Sequence, residues 1–123
     1  MINLEKISEY KENNQLELKL AQGRDGRGAI PASIWETYSA FANTDGGLIL
    51  LGVNDNLEVV GIANPEKLVQ DFWNLLNSKS KVNRNILMER NVKIEAAEGK
   101  KIISITVPRA ERSLRPIFLG KDP

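Results

Sequence analysis

The stretch Leu48 to Val53, LILLGV, is apolar at every position but Gly52. A strand of this kind has no polar face to turn to water, so it belongs inside a sheet that is covered on both sides rather than at an edge. The 123 residues suffice for one domain and one ordinary core around it. The residues on either side set its limits. Asp45-Gly46-Gly47 ends the amphipathic pattern before it, and Asn54-Asp55-Asn56 makes a turn after it, from which Leu57 to Gly61 is expected to return as an antiparallel hairpin partner.

The remaining elements follow from period and punctuation. Residues 3–13 can form a short polar helix. From Gln15 the pattern alternates strictly, with Leu16, Leu18 and Leu20 on one face and Gln15, Glu17 and Lys19 on the other, which predicts a half-buried strand. QGRDGRGAIP reads as a loop. Ser33 and Glu36 have the spacing of a capping box ahead of Ile34, Tyr38 and Phe41, which recur at helical spacing as far as Asn43. Asn64-Pro65 opens a second helix that carries Leu68, Val69, Phe72, Trp73, Leu75 and Leu76. Val92-Ile94-Ala96 and Ile103-Ile105-Val107 form a hairpin through Glu98-Gly99-Lys100. Beyond Pro108 no closing element is visible, as expected of a chain cut from a longer protein or of a tail that reaches a neighbour. The order β-α-β-β-α-β-β predicts an α+β fold, a mixed or largely antiparallel sheet with two main helices.

Composition narrows the chemistry. With no cysteine and no histidine, zinc sites, thiolate nucleophiles and histidine-based triads are excluded. Any catalysis runs on carboxylates, Lys, Tyr, Ser or a hard metal. Seventeen Lys+Arg against sixteen Asp+Glu argue against wholesale charge-driven wrapping of nucleic acid but allow a local basic patch. No signal peptide or membrane span is legible, so a cytoplasmic protein that does not contact membranes is the expectation.

Three groups of residues can carry function. The first is the junction itself. Gly46 and Gly47 are explained by backbone conformation, whereas Asn43, Thr44 and Asp45 can either finish the turn or present amides and hydroxyls to a phosphate or a base. The second is Glu12, Glu17, Lys19 and Asp55. These are either a solvated strand face and turn, or a set in which carboxylates hold Mg²⁺ or Mn²⁺ and a lysine faces a phosphodiester. The third is three basic clusters on loops: Arg24 and Arg27; Lys79, Lys81 and Arg84; and Arg109, Arg112 and Arg115. Converging on one face they would track a phosphate backbone, and dispersed they would serve solubility. GRDGRGA has neither the Lys-Ser/Thr ending of a P-loop nor the spacing of a dinucleotide fingerprint. Trp35 and Trp73 fall at helical positions that suit packing better than base stacking.

Taken together, ENNQLELKLA, SAFANTDGGLILLGVNDN, LEVVGI and the later RPIFLG resemble the Schlafen-type AlbA-like DNA-binding domain of bacterial transcriptional regulators, also called the divergent AAA domain family. The likeness covers nearly all of the chain past residue 12. It implies an α+β module at the N-terminus of a longer regulator with a winged-helix or other regulatory region after it. It also implies a place for the RNA-cleaving carboxylate trio of eukaryotic Schlafen relatives, on Glu12, Glu17 and Asp55.

The favoured expectation is a nucleic-acid-binding domain, DNA before RNA, with no cofactor required, contacting phosphates through Arg24, Arg27, Asn43, Thr44, Lys79, Lys81 and Arg84. The alternatives are a Mg²⁺- or Mn²⁺-dependent nuclease using Glu12, Glu17, Lys19 and Asp55, and a dimerisation or ligand-sensing module. A homo-oligomer is compatible with all three.

Overall fold

Gly47–Leu51 forms strand β2, and its neighbours supply the two-sided cover that its composition demands. The computed structural model describes residues 15–21, 28–78 and 81–119. Along these run β1 (Leu16–Lys19), α1 (Ile34–Ala42), β2, α2 (Pro65–Asn77), β3 (Val92–Ala97) and β4 (Lys100–Val107). Single 3₁₀ turns lie at Glu89–Asn91 and Arg112–Leu114. The sheet order is β1-β2-β4-β3, with β1 parallel to β2 and the other two pairings antiparallel, so the sheet is mixed and β2 is internal.

The two faces bury different things. Ile49 and Leu51 of β2, with Ile103, Ile105 and Val107 of β4, meet Ile34, Trp35, Tyr38 and Ala42 of α1 and Leu68, Phe72 and Leu76 of α2. Trp35 stacks on Phe72 with ring centroids 5.3 Å apart, so this tryptophan belongs to the core, as its helical position predicts. On the opposite face Leu50, Val53, Val59, Ala97 and Ile102 form a smaller cluster, flanked by Leu16, Leu18, Leu48 and Leu57. Because strand side chains alternate, Glu17 and Lys19 lie on the helix side of β1, in register with Ile49 and Leu51.

Local signals were mostly obeyed. Asn64 caps α2 by accepting from the Lys67 N–H at 3.2 Å, with Pro65 at the first helical position. The β3–β4 hairpin pairs Ala97 with Lys100 around Glu98-Gly99, both with positive φ (50° and 78°), the backbone of a tight two-residue hairpin turn.

Three features differ from the sequence reading. The segment 57–61 does not form a strand and keeps a single antiparallel bridge, Val53 to Val59. Leu57 (φ 63°) and Gly61 (φ 86°) interrupt its extended course, and the Asn54 carboxamide oxygen accepts from the N–H groups of Asn56 and Glu58. The capping box at α1 is not made either: Ser33 has no side-chain cap bond, and its Oγ accepts from Lys19 Nζ at 3.0 Å. Finally, the tail does close. Ala110 and Ile117 are buried in the main core, the Ala110 N–H donates to the Ala42 carbonyl at 2.8 Å, and Leu119 bridges Val82. The helix expected over residues 3–13 lies outside the described residues.

Candidate nucleic-acid interface

The junction after α1 is where the tail is fastened. Gly46 turns the chain at φ +83°, where a Cβ would stand 2.6 Å from the Val107 carbonyl oxygen, so only glycine fits between α1 and the end of β4. The Thr44 hydroxyl donates back to the Ala40 carbonyl at 2.7 Å, which finishes the helix. Asn43 does something else. Its Nδ2 donates to the Ile117 carbonyl at 2.6 Å and its Oδ1 accepts from the Ile117 N–H at 2.7 Å, so one side chain brackets both backbone groups of a residue 74 positions away. Asn83 repeats the device from the other side: its Oδ1 accepts from the Phe118 N–H at 2.9 Å, and its Nδ2 donates to the Pro116 carbonyl at 3.2 Å.

Held in this way, the tail carries Arg109, Arg112 and Arg115 around an open depression of about 830 Å³ that Asn43 and Pro116 also line. Among the described residues the nearest carboxylate contact is loose, Arg109 to Asp45 at 4.0 Å with both side chains exposed, a geometry of little energetic weight. Among the described residues Arg112 and Arg115 have no ion-pair or side-chain hydrogen-bond partner, and the Arg115 Nε is buried without an acceptor. Among the described residues three guanidinium groups therefore share one concavity with little to offset them, an arrangement that suits an anion. The loop with Lys81 and Arg84 abuts this depression through Asn83 and Pro116. Arg84 is exposed, Lys81 is half-buried, and Lys79 lies outside the described residues, as do Arg24 and Arg27.

Behind that loop stands Tyr38. Its hydroxyl donates to the Arg84 carbonyl at 2.9 Å and accepts from the Ile86 N–H at 3.0 Å, which fixes the loop on α1. Burial pushes the phenol above its usual range, and the Ile86 N–H opposes that shift.

A second depression, of about 320 Å³, lies at the other end of β2. It is lined by Leu18, Lys19, Leu20, Pro31, Ser33, Val53, Asn54 and Asp55. The structure thus brings Lys19 and Asp55 to one rim. Glu17 stands on β1 outside that lining, and Glu12 lies outside the described residues. Among the described residues no three acids come together as a metal-binding group. Glu17 and Asp55 do not by themselves make a divalent site.

Comparison with known proteins gives the family and the fold. The profile described as Schlafen, AlbA_2 matches residues 6–118, which include the junction, β1 and the arginine-bearing tail. The chain belongs to this family. The Schlafen, AlbA_2 domain is similar in structure to the N-terminal domain of a RecG-related protein from Nitrosomonas europaea, provisionally described as an ATP-dependent DNA helicase. The TM-score is 0.63 at 27% identity, over 94% of this chain and 76% of that one. The DIP2311 protein from Corynebacterium diphtheriae has the same fold, with a TM-score of 0.56 at 18% identity over 87% of this chain and 19% of that one. No curated protein matches the sequence. Among the described residues no helix is long and apolar enough to cross a membrane.

Of the residues singled out from sequence, Asn43 lines the arginine depression while bound to the tail, and Thr44 is turned into its own helix. Arg109, Arg112 and Arg115 stood in the sequence as one basic cluster of three but not among the favoured contacts. Their spacing of three was the signal, and only the folded tail reveals the concavity.

Proposed function

We propose that this Schlafen, AlbA_2 domain binds nucleic acid, DNA before RNA, by holding backbone phosphates in the depression of Arg109, Arg112 and Arg115, as the DNA-contacting part of a bacterial transcriptional regulator. One observation carries the reading: three guanidinium groups line one open concavity, and among the described residues the nearest carboxylate contact is at 4.0 Å. Guanidinium forks match phosphate oxygens in shape and charge, and phosphate contacts position a protein on nucleic acid without reading its sequence. The family and the helicase-related neighbour agree with nucleic acid as the ligand. Sequence reading falls to another region of a longer chain.

A metal-dependent nuclease has one observation in its favour, the shared rim of Lys19 and Asp55. A divalent ion held there would polarise a phosphodiester and activate water. Titrating the ¹⁵N-labelled domain with a short oligonucleotide separates the two readings. The phosphate reading expects shifts at Asn43 and residues 109–118. Shifts confined to residues 17–20 and 53–56, with Mn²⁺-dependent cleavage that Asp55→Asn abolishes, would replace it with the nuclease.

A further inference from the structure

Phe118 is 56% exposed, although the chain on both sides of it is pinned. Its N–H donates to Asn83 Oδ1 and its carbonyl accepts from the Asn83 N–H at 3.1 Å, while the next residue, Leu119, bridges Val82. The backbone of 116–118 alternates as an extended strand does. The Pro116 carbonyl and both polar groups of Phe118 turn to Asn83, and those of Ile117 turn to Asn43. Ile117 is driven into the core at 2% exposure, so Pro116 and Phe118 project the opposite way. Pro116 lines the arginine depression. A large aromatic ring is therefore held in water on the same side of the tail as Pro116, two residues along the chain from the rim of the depression that Arg109, Arg112 and Arg115 line.

A duplex offers phosphates to such a surface but keeps its base faces stacked against each other. A single strand offers both phosphates and free base faces, and basic grooves interleaved with aromatic rings are how proteins hold one. We infer that the depression takes single-stranded nucleic acid, with phosphates on Arg109, Arg112 and Arg115 and one base stacked on Phe118. The inference rests on the phosphate reading above and adds the strandedness of the ligand.

The test is fluorescence anisotropy with three labelled probes of equal length: oligodeoxythymidine, an abasic single strand and a duplex. Wild type, Phe118→Ala and Phe118→Trp are compared, the exposed position sparing the core. The expected result is that wild type prefers oligodeoxythymidine to the abasic strand. Phe118→Ala lowers oligodeoxythymidine affinity about tenfold, to the abasic level, and leaves abasic binding unchanged, whereas Phe118→Trp retains the preference. Equal affinity of wild type for oligodeoxythymidine and the abasic strand, or a Phe118→Ala effect that is nil or alike on all probes, overturns the stacking inference and leaves the phosphate reading standing. Failure of every probe at low salt overturns the phosphate reading and this inference with it. Light scattering completes the set: a wild-type dimer that Phe118→Ala makes monomeric would assign the ring to a second copy and overturn the inference.

Discussion

The two depressions sit at opposite ends of β2 and are built from the same materials, loop residues and charged side chains, yet they differ in how those charges are settled. At the Lys19 rim the lysine is bound to Ser33 Oγ and shares the depression with the Asp55 carboxylate, so the described charges there balance. At the arginine depression the polar work of fastening the tail is done by two asparagines on backbone groups. Among the described residues the guanidinium groups are left without strong partners. Neutral amides bracketing backbone satisfy the buried polar groups of the tail without neutralising the cations beside them. An interface that must attract an anion needs that separation between the groups that hold the fold and the groups that face the ligand.

The sharpest way to break the comparison is charge reversal at both ends. Arg109→Glu with Arg112→Glu is expected to weaken oligonucleotide binding roughly a hundredfold at low salt, while Lys19→Glu changes it by less than about threefold, both read by anisotropy. Equal losses would show a diffuse field rather than a site.

Asn43→Ala comes next and acts on the fold. It strands the Ile117 N–H and carbonyl, and is expected to cost about 2–3 kcal/mol in urea denaturation. A cost under about 0.5 kcal/mol would show that the tail is held by burial and by its other backbone contacts, the Asn83 bracket among them, without need of Asn43.

Tyr38→Phe removes the acceptor of the Ile86 N–H and is expected to cost about 1–2 kcal/mol. The wild type has a pH signature as well. Its phenol is raised above the ordinary tyrosine value of about 10, so the associated stability is complete below that value and is lost as pH rises through the folded one. Urea midpoints that fall above about pH 10 in wild type, and fall less in Tyr38→Phe, would bear this out. The smallest effect is expected at the neutral rim, where Lys19→Met removes one exposed bond to Ser33 and should change stability by less than about 1 kcal/mol.

How far the sequence led depended on the range of each interaction. The β3–β4 hairpin was legible because alternation and the Glu98-Gly99 turn lie within sixteen residues of each other, and the Asn64-Pro65 start of α2 because its cap is made three residues away. The internal place of β2 was legible from composition alone. The capping box at Ser33 was misread because Ser33 takes helical backbone angles (φ −68°, ψ −10°) where a cap needs extended ones, and its hydroxyl instead accepts from Lys19, fourteen positions earlier, which a local motif cannot reveal. The expected strand at 57–61 gave way to the side chain of Asn54, which offers the backbone an alternative to pairing. The tail looked unfinished because its anchors are asparagines 33 to 74 residues away. The arginine cluster could be counted in the sequence, but that it shares one concavity follows from those same long-range brackets.

The central claim is that phosphates sit in the depression of Arg109, Arg112 and Arg115, and the most direct measurement is the salt dependence of binding. Log Kd of a labelled oligonucleotide against log salt should be linear for wild type. Arg109→Gln with Arg112→Gln, which removes charge without reversing it, should reduce the magnitude of that slope by about 1.4–1.8. A slope that the double substitution leaves unchanged, at whatever affinity, would mean that those arginines hold no phosphate and would contradict the account.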